Sequence, residues 1–171
     1  MSSYTFDFSA ESWSTVEFAW NGANGSPFPG CMFADGSVTP FDYVESELTG
    51  LSFPVTLGDN ISWRVRLTGS LDGAVSGVSL VVTTNIGNSF AFKTAGDITF
   101  TDSDTGWFLV TGTIAASGTV QIIEARIGDP SMADNLTGAY FDSVFVTDTP
   151  TGMFELIQSA GGIPGAIMVT S

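Results

Sequence analysis

Residues 61–67, Ile-Ser-Trp-Arg-Val-Arg-Leu, decide the fold class of this chain. Apolar side chains occupy every second position of this stretch, at Ile61, Trp63, Val65 and Leu67. Successive side chains of a β-strand point to opposite faces, so the alternation predicts a strand with one buried face. Arg64 and Arg66 are expected on the other face, where either can pair with a carboxylate across the sheet.

The same period of two recurs along most of the chain. Short runs rich in β-branched and aromatic residues, bounded by glycine, asparagine or aspartate, occur at 6–8, 16–20, 78–82, 90–92, 98–100, 108–110, 120–122 and 144–146. No helical stripe separates these runs, so a parallel α/β sheet is disfavoured. The pattern predicts an all-β protein, an antiparallel sandwich or barrel with almost no helix.

Two regions depart from this pattern. Residues 21–50 contain three prolines and several aromatic residues among turn formers, which predicts a loop-rich stretch. Residues 150–171 are apolar and glycine-rich, with one charged residue, Glu155. We therefore expect a domain over residues 1–149 and a C-terminal arm over residues 150–171.

The composition excludes several classes of function. The 171 residues include 18 acidic and 4 basic side chains and no histidine, for a net charge of −14. Such a charge repels a phosphate backbone, so nucleic acid is not an expected partner. Without histidine, neither a Ser-His-Asp site nor an imidazole zinc site can form. Cys31 is the single cysteine, and it is expected to be a small buried hydrophobic residue.

Neither membrane insertion nor secretion is predicted. No stretch reaches the ~18 apolar residues that a membrane-spanning helix needs. The first residues, MSSYTFDFSAES, carry no positive charge and no continuous apolar run, so they predict no signal peptide. The expectation is a soluble protein made in a host cytoplasm.

Four stretches together resemble a known family. They are TFDFSAESW (5–13), VTLGDNISWRVRLTG (55–69), DITFTDSDTGWFLVTGTIAASGTVQIIEARIG (97–128) and AYFDSVFV (139–146). In the order of their turns, tryptophans and strands they resemble the jelly-roll carbohydrate-binding modules of families four and nine, which share the galactose-binding-like β-sandwich. The resemblance covers roughly residues 4–147 and implies a jelly roll of two facing antiparallel sheets.

The resemblance also implies that sugar rings stack on aromatic side chains of the concave sheet or of loops at one end. Trp63 and Trp107 match the family's strand positions and are expected in the core. The candidate contact residues lie in the less similar part of the chain: Trp13, Trp20, Phe28, Phe33, Phe41 and Tyr43. They can equally form a contact surface for another protein chain.

Asp142 matches an aspartate near the last strand of the family that often helps to hold a structural calcium ion. Asp7 or Glu11 of the first loop then become its expected partners, since calcium prefers oxygen ligands. The alternative is that Asp142 caps a turn or pairs with an arginine. No other cofactor is predicted.

The main functional hypothesis is a non-catalytic structural protein on the outside of a bacteriophage particle, as a capsid-decoration or tail-associated protein. It follows from the small acidic β-sandwich, the absence of a catalytic cluster, and an arm that needs apolar cover. Cell lysis would release such a protein onto a virion surface without a signal peptide, and surface glycans are a further expected partner. The alternative is a stand-alone carbohydrate-binding module or lectin, and a glycoside hydrolase is the least favoured class.

The arm carries the expected assembly contacts, at Phe154, Leu156, Ile157, Ile163 and Ile167. Exposing these side chains to water costs about 25 cal/mol per Å² relative to burial. The arm is therefore expected either to pack back on its own domain or to reach a neighbouring subunit. The second option predicts a homo-oligomer or a contact with other virion proteins.

Overall fold

The structure, a computed structural model, describes residues 4–6, 8, 17–26, 30–73 and 75–147. These residues form eleven β-strands and one 3-10 turn, Ala95–Asp97. The strands are β1 (Tyr4–Phe6), β2 (Ala19–Asn21), β3 (Cys31–Asp35), β4 (Tyr43–Leu48), β5 (Phe53–Val55), β6 (Asn60–Ser70), β7 (Gly77–Thr84), β8 (Asn88–Thr94), β9 (Phe108–Thr113), β10 (Gly118–Gly128) and β11 (Asn135–Thr147). The predicted all-β fold class is confirmed.

The strands form one antiparallel sheet that curls on itself. Its order is β2-β3-β11-β6-β9-β8-β7-β10-β4, with β1 beside β11 and β5 beside β10. Strands β8 and β9 meet at the Ala91–Gly112 pair, and a Cβ at Gly112 would lie only 2.0 Å from the carbonyl oxygen of Phe90. The halves on either side of this junction share one apolar core, which makes the protein a β-sandwich.

The core is centred on β6 and β11. The four apolar side chains of residues 61–67 are fully buried, as their spacing predicts. Phe141 of β11 packs edge-on against three rings, with centroid distances of 5.5 Å to Phe8, 5.0 Å to Phe18 and 6.1 Å to Trp63. These edge-to-face contacts tie the N-terminal residues to the middle of the sandwich.

Strand β11 changes its inward-facing positions along its length. Its register against β6 shifts between Leu136 and Gly138, and again between Asp142 and Phe145. At the second shift the backbone of Ser143 has a φ of 52°. Such a bulge inserts an extra residue into one strand of a pair. It also places Asp142 in the interior, with a fully buried side chain.

One prediction about an individual segment is wrong. Residues 98–100 are not a strand, because the 3-10 turn Ala95–Asp97 ends β8 and leaves Ile98 and Phe100 to pack on the core from a loop. In the stretch 21–50, predicted to be loop-rich, the described residues form β3 and β4 together with the loops and turns around them. The inward positions of β4 are Val44 and the small polar Ser46, so its apolar alternation is weak.

The arm over residues 150–171 lies outside the described residues, together with Phe154, Leu156, Ile157, Ile163 and Ile167. Its assembly role and the domain boundary at residue 149 therefore stay predictions. Among the residues that the structure does describe, no helix has the length and apolar character needed to cross a membrane.

Candidate functional site

A groove of about 460 Å³ lies on the solvent-facing side of the β4-β10-β7-β8 half of the sheet. Side chains of these strands and of the loops at their ends line it: Tyr43, Val75, Gly77, Val78, Ser79, Phe90, Phe92, Lys93, Thr94, Arg126, Gly128, Asp129 and Pro130. Concave sites with a few convergent polar groups are the usual form of small-ligand sites. We refer to it below as the sheet groove.

Two phenylalanines of β8 form the apolar wall of the sheet groove. Phe90 is 47% exposed and Phe92 is 62% exposed, whereas the alternating residues Ser89 and Ala91 are buried. Side chains two residues apart on one strand are separated by about 6.8 Å. Within the described part of the chain neither ring stacks on another aromatic residue, so both rings can contact a ligand.

The floor of the sheet groove contains two glycines. Gly128 of β10 is paired with Tyr43, and Gly77 of β7 is paired with Thr94. A Cβ at Gly77 would lie 2.1 Å from the carbonyl oxygen of Lys93. At Gly128 the φ of +85° disfavours other residues, and a Cβ would lie 2.1 Å from the carbonyl oxygen of Asp42. The floor is therefore bare backbone at these two positions.

Arg126 supplies hydrogen-bond donors to the sheet groove. Its Nε donates to Glu124 Oε1 at 2.6 Å and its Nη2 donates to Glu124 Oε2 at 2.8 Å. This two-point contact fixes the plane of the guanidinium and raises the pKa of Arg126 above its ordinary value. Nη1 has no hydrogen-bond acceptor among the residues described, so its donors remain available at the surface of the groove.

Tyr43, one of the predicted contact residues, lines the opposite side of the sheet groove. Its hydroxyl donates a hydrogen bond to Glu45. Burial, and then the adjacent Glu45 carboxylate, raise the pKa of Tyr43 above its ordinary value. The backbone N–H of Glu45 donates to the Glu17 carboxylate at 2.6 Å, which occupies an edge donor of β4. Tyr43 therefore stays protonated, with its ring held in a fixed position.

A buried carboxylate holds the loops at one end of the sheet groove. Asp134 is 4% exposed. It accepts hydrogen bonds from the backbone N–H groups of Asp72 and Asp129 and from the hydroxyl of Ser76. These donors belong to the loop between β6 and β7 and to the loop between β10 and β11. Asp129 and Val75 of the same loops line the groove, so Asp134 sets the position of this end.

The other predicted contact residues that the structure describes, Trp20, Phe33 and Phe41, do not gather around Tyr43. Trp20 lies on β2, and its indole Nε1 donates to the carbonyl oxygen of Phe8 at 3.0 Å. Phe41 packs against the core, and Phe33 lies on the other half of the sheet. The remaining two, Trp13 and Phe28, lie outside the described residues. The described members of the proposed loop platform thus lie in separate places.

A second aromatic cluster surrounds Tyr140 on the other half of the sheet. Phe33 stacks on Tyr140 at 4.4 Å, Trp107 meets it edge-on at 6.3 Å, and the Arg66 guanidinium lies 5.1 Å from the ring centroid. Arg66 also pairs with Asp104, which confirms the expected arginine–carboxylate pair. The predicted core position of Trp107 is wrong, because this residue is partly exposed. These rings cover one another, so they stabilise the sheet and offer less free ring surface than Phe90 and Phe92.

Asp142 is the described member of the predicted calcium site. Its Oδ2 accepts the backbone N–H of Ser26 and its Oδ1 accepts that of Ser143, both at 2.6 Å. The proposed partners Asp7 and Glu11 lie outside the described residues. Within the described ranges no group of three or more histidine, cysteine or acidic residues is placed to hold a metal ion. The calcium site stays a prediction, and the contacts seen are those of a carboxylate that caps backbone N–H groups.

No protein-family model matches the chain, and no curated protein matches its sequence. Solved structures share its fold at low sequence identity. The K1 cleaved adhesin domain of Lys-gingipain from Porphyromonas gingivalis W83 has 14% identity and a TM-score of 0.54, over 88% of this chain and all of that domain. The mannan-recognising carbohydrate-binding module TmCBM27 has 13% identity and a TM-score of 0.52, over 86% of this chain and 96% of the module.

A further similar structure comes from the carbohydrate-binding modules of the β-sandwich superfamily. It has 12% identity and a TM-score of 0.52, over 81% of this chain and 59% of that one. At such identities these similarities establish the β-sandwich fold. They agree with the fold that the resemblance implies, and they lend no support to a bacteriophage origin.

Proposed function

We propose that this chain is a non-catalytic carbohydrate-binding domain that holds a glycan in the sheet groove. The observation that carries the proposal is the pair of exposed rings, Phe90 and Phe92, opposite Tyr43 and beside Arg126. Two of the similar solved structures are named as carbohydrate-binding modules and have the same β-sandwich fold. This similarity supports the choice of a carbohydrate as the ligand class.

The residues of the sheet groove match the chemistry of a sugar. A pyranose ring has an apolar C–H face that packs on an aromatic ring, and hydroxyl groups around its edge that need hydrogen bonds. Phe90 and Phe92 supply the apolar surface. Arg126 and Ser79 supply polar groups on neighbouring strands. At Gly77 and Gly128 no side chain covers the backbone floor of the groove.

The carbohydrate-binding alternative is better supported than the virion hypothesis. None of the neighbours described above is a virion protein, whereas two of them are named for carbohydrate binding. Placement on a phage particle, a homo-oligomer and a role for the arm stay predictions drawn from composition. The sheet groove requires none of them, because all its residues come from one chain.

The experiment is a binding screen with purified protein against soluble polysaccharides, followed by calorimetric titration of the tightest binder. Phe92→Ala removes a ring that is 62% exposed. If a ligand covers about 60 Å² of that ring, the loss is about 1.5 kcal/mol, or roughly tenfold in Kd.

Leu57→Ala is the matched control. Leu57 is 65% exposed and lies in the turn before β6, away from the sheet groove, so its truncation should leave Kd unchanged. Equal affinities for the wild-type protein and Phe92→Ala would show that the glycan binds elsewhere. A protein that binds no polysaccharide in the screen would refute the proposed function.

A further inference from the structure

The strand pair that carries Tyr43 and Arg126 also carries a group of carboxylates. Glu45 is directly opposite Arg126, and Glu47 is directly opposite Glu124, in the register of β4 with β10. The residues between them, Val44, Ser46 and Ala125, are buried. Glu45, Glu47 and Glu124 therefore face the same side as the groove-lining residues of these strands. We call these three glutamates the acidic wall.

The cations near the sheet groove do not balance this charge. Arg126 is already bound at two points by Glu124, so that pair is neutral. The ammonium of Lys93, the other cation of the lining, lies 5.7 Å from the Phe108 ring centroid. Asp129 lies in the lining of the groove itself, whereas the three glutamates lie beside it, and hydrogen bonds from Ser131 hold the pKa of Asp129 below the ordinary value. A ligand in the groove therefore meets an excess of negative charge.

We propose that the acidic wall makes the sheet groove selective for uncharged glycans and weakens the binding of glycans that carry carboxylate or sulfate groups. The inference rests on the proposed function, and it names the substrate class that the aromatic rings alone leave open. Phe90 and Phe92 accept the C–H face of any pyranose. The charge of the wall then decides which substituents a bound sugar can carry.

The size of the effect follows from Coulomb's law. Two unpaired carboxylates at about 7 Å from an acidic substituent, acting through water, should weaken its binding by about 5- to 10-fold. Dissolved salt shortens the range of this repulsion to about 8 Å at physiological ionic strength and about 3 Å at 1 M. The discrimination should therefore decrease as the salt concentration rises. Contacts of Phe90 and Phe92 with the sugar ring should depend far less on salt.

The test uses matched polymers on three backbones: cellulose, mannan and β-1,3-glucan, each as a neutral hydroxyethyl derivative and as a carboxymethyl derivative of equal substitution. Affinities are measured by calorimetry at about 20 mM and about 1 M sodium chloride. For each backbone that binds, the carboxymethyl form should bind about 5- to 10-fold more weakly at low salt. The two forms should approach one another at high salt.

Variants assign the effect to the acidic wall. The Glu47 side chain has no hydrogen-bond partner in the described part of the chain, so Glu47→Gln removes charge without removing a contact. Glu47→Gln should raise affinity for the carboxymethyl form about two- to threefold, and the double variant with Glu45→Gln should raise it further. Asp102→Asn is the control, because it makes the same charge change in the turn over residues 101–104, on the other half of the sheet.

Equal binding of both derivatives by the wild-type protein would overturn the proposed selectivity while leaving the proposed function intact. An effect of Asp102→Asn as large as that of Glu47→Gln would also overturn it, since the net charge of the chain would then be the cause. Failure of all six polymers to bind would instead refute the binding function, and the selectivity with it.

Discussion

Replacing Asp134 by alanine should destabilise the protein and weaken the end of the sheet groove together. The Asp134 carboxylate is buried and accepts hydrogen bonds from two backbone N–H groups and one hydroxyl. Alanine leaves Asp72 and Asp129 with N–H groups that have lost their acceptor. The two loops that the carboxylate joins then have no direct polar link at this point.

The expected loss follows from these three bonds. A hydrogen bond to a charged group contributes about 1.5–3 kcal/mol, and an orphaned buried donor costs about 1–3 kcal/mol. Because the three bonds share one carboxylate, they do not add fully, and we expect a loss of about 4 kcal/mol for Asp134→Ala. Asp134→Asn keeps one carbonyl acceptor and should lose about half as much. For a domain of this size, 4 kcal/mol lowers Tm by roughly 10 °C.

Urea denaturation followed by tryptophan fluorescence measures this loss, with calorimetry as a second probe. Asp72→Asn is the control, because it removes a charge from the same loop while keeping the backbone N–H that Asp134 accepts. It should change stability by less than about 0.5 kcal/mol. A loss below about 1 kcal/mol for Asp134→Ala would refute the reasoning, since the three bonds would then be replaced by water at little cost.

Three further outcomes are expected. Gly128→Ala should lose about 2 kcal/mol or more in urea denaturation, because its φ of +85° and the nearby carbonyl oxygen of Asp42 oppose a Cβ; unchanged stability would contradict this. Burial, and then the Asp142 charge, raise the pKa of Cys31 to about 12, so a thiol reagent at pH 8 should label the protein only after unfolding. The hydrogen bond from Arg66 holds the pKa of Asp104 below its usual 3.8, so this pair stabilises the fold above pH 4 and the effect is lost as pH falls through the lower, folded value. Asp104→Asn should remove that acid dependence and cost less than about 1 kcal/mol at pH 7; an identical acid titration of stability would count against it.

The sequence predicts the fold class because the period of two recurs along the chain, and in most strands the apolar members of the alternation form the buried face. Residues 61–67 follow this pattern, and all their apolar side chains are buried. Strand β8 shows the reverse arrangement. There the small residues Ser89 and Ala91 face the core, and the large residues Phe90 and Phe92 face solvent. A period of two identifies a strand, but it does not say which of its faces is buried.

For a similar reason, most residues of the candidate site could not be predicted from the sequence. Tyr43 is predicted as a contact residue because it lies in an aromatic stretch between turn formers, and it does line the sheet groove. Arg126 and Glu45 are distant in the chain and come together only through the register of β10 with β4. That register depends on contacts across the whole sheet, so no local pattern could indicate it. Ala91 shows a reason for the reversal of β8: it opposes Gly112 where the two halves join, and the backbones there approach too closely for larger side chains.

The bulge at Ser143 gives β11 two alternation phases within one strand. Ala139 and Phe141 face the core before it, and Val144 and Val146 face the core after it, so the inward positions pass from odd to even numbers. Removing Ser143 alone would restore a regular alternation in which Phe141 and Val144 still share a face. The extra residue is therefore not needed for the core. It supplies the N–H that holds Asp142 and the hydroxyl that donates to the carbonyl oxygen of Ser26, so one inserted residue fastens a neighbouring loop to a strand that could pack without it.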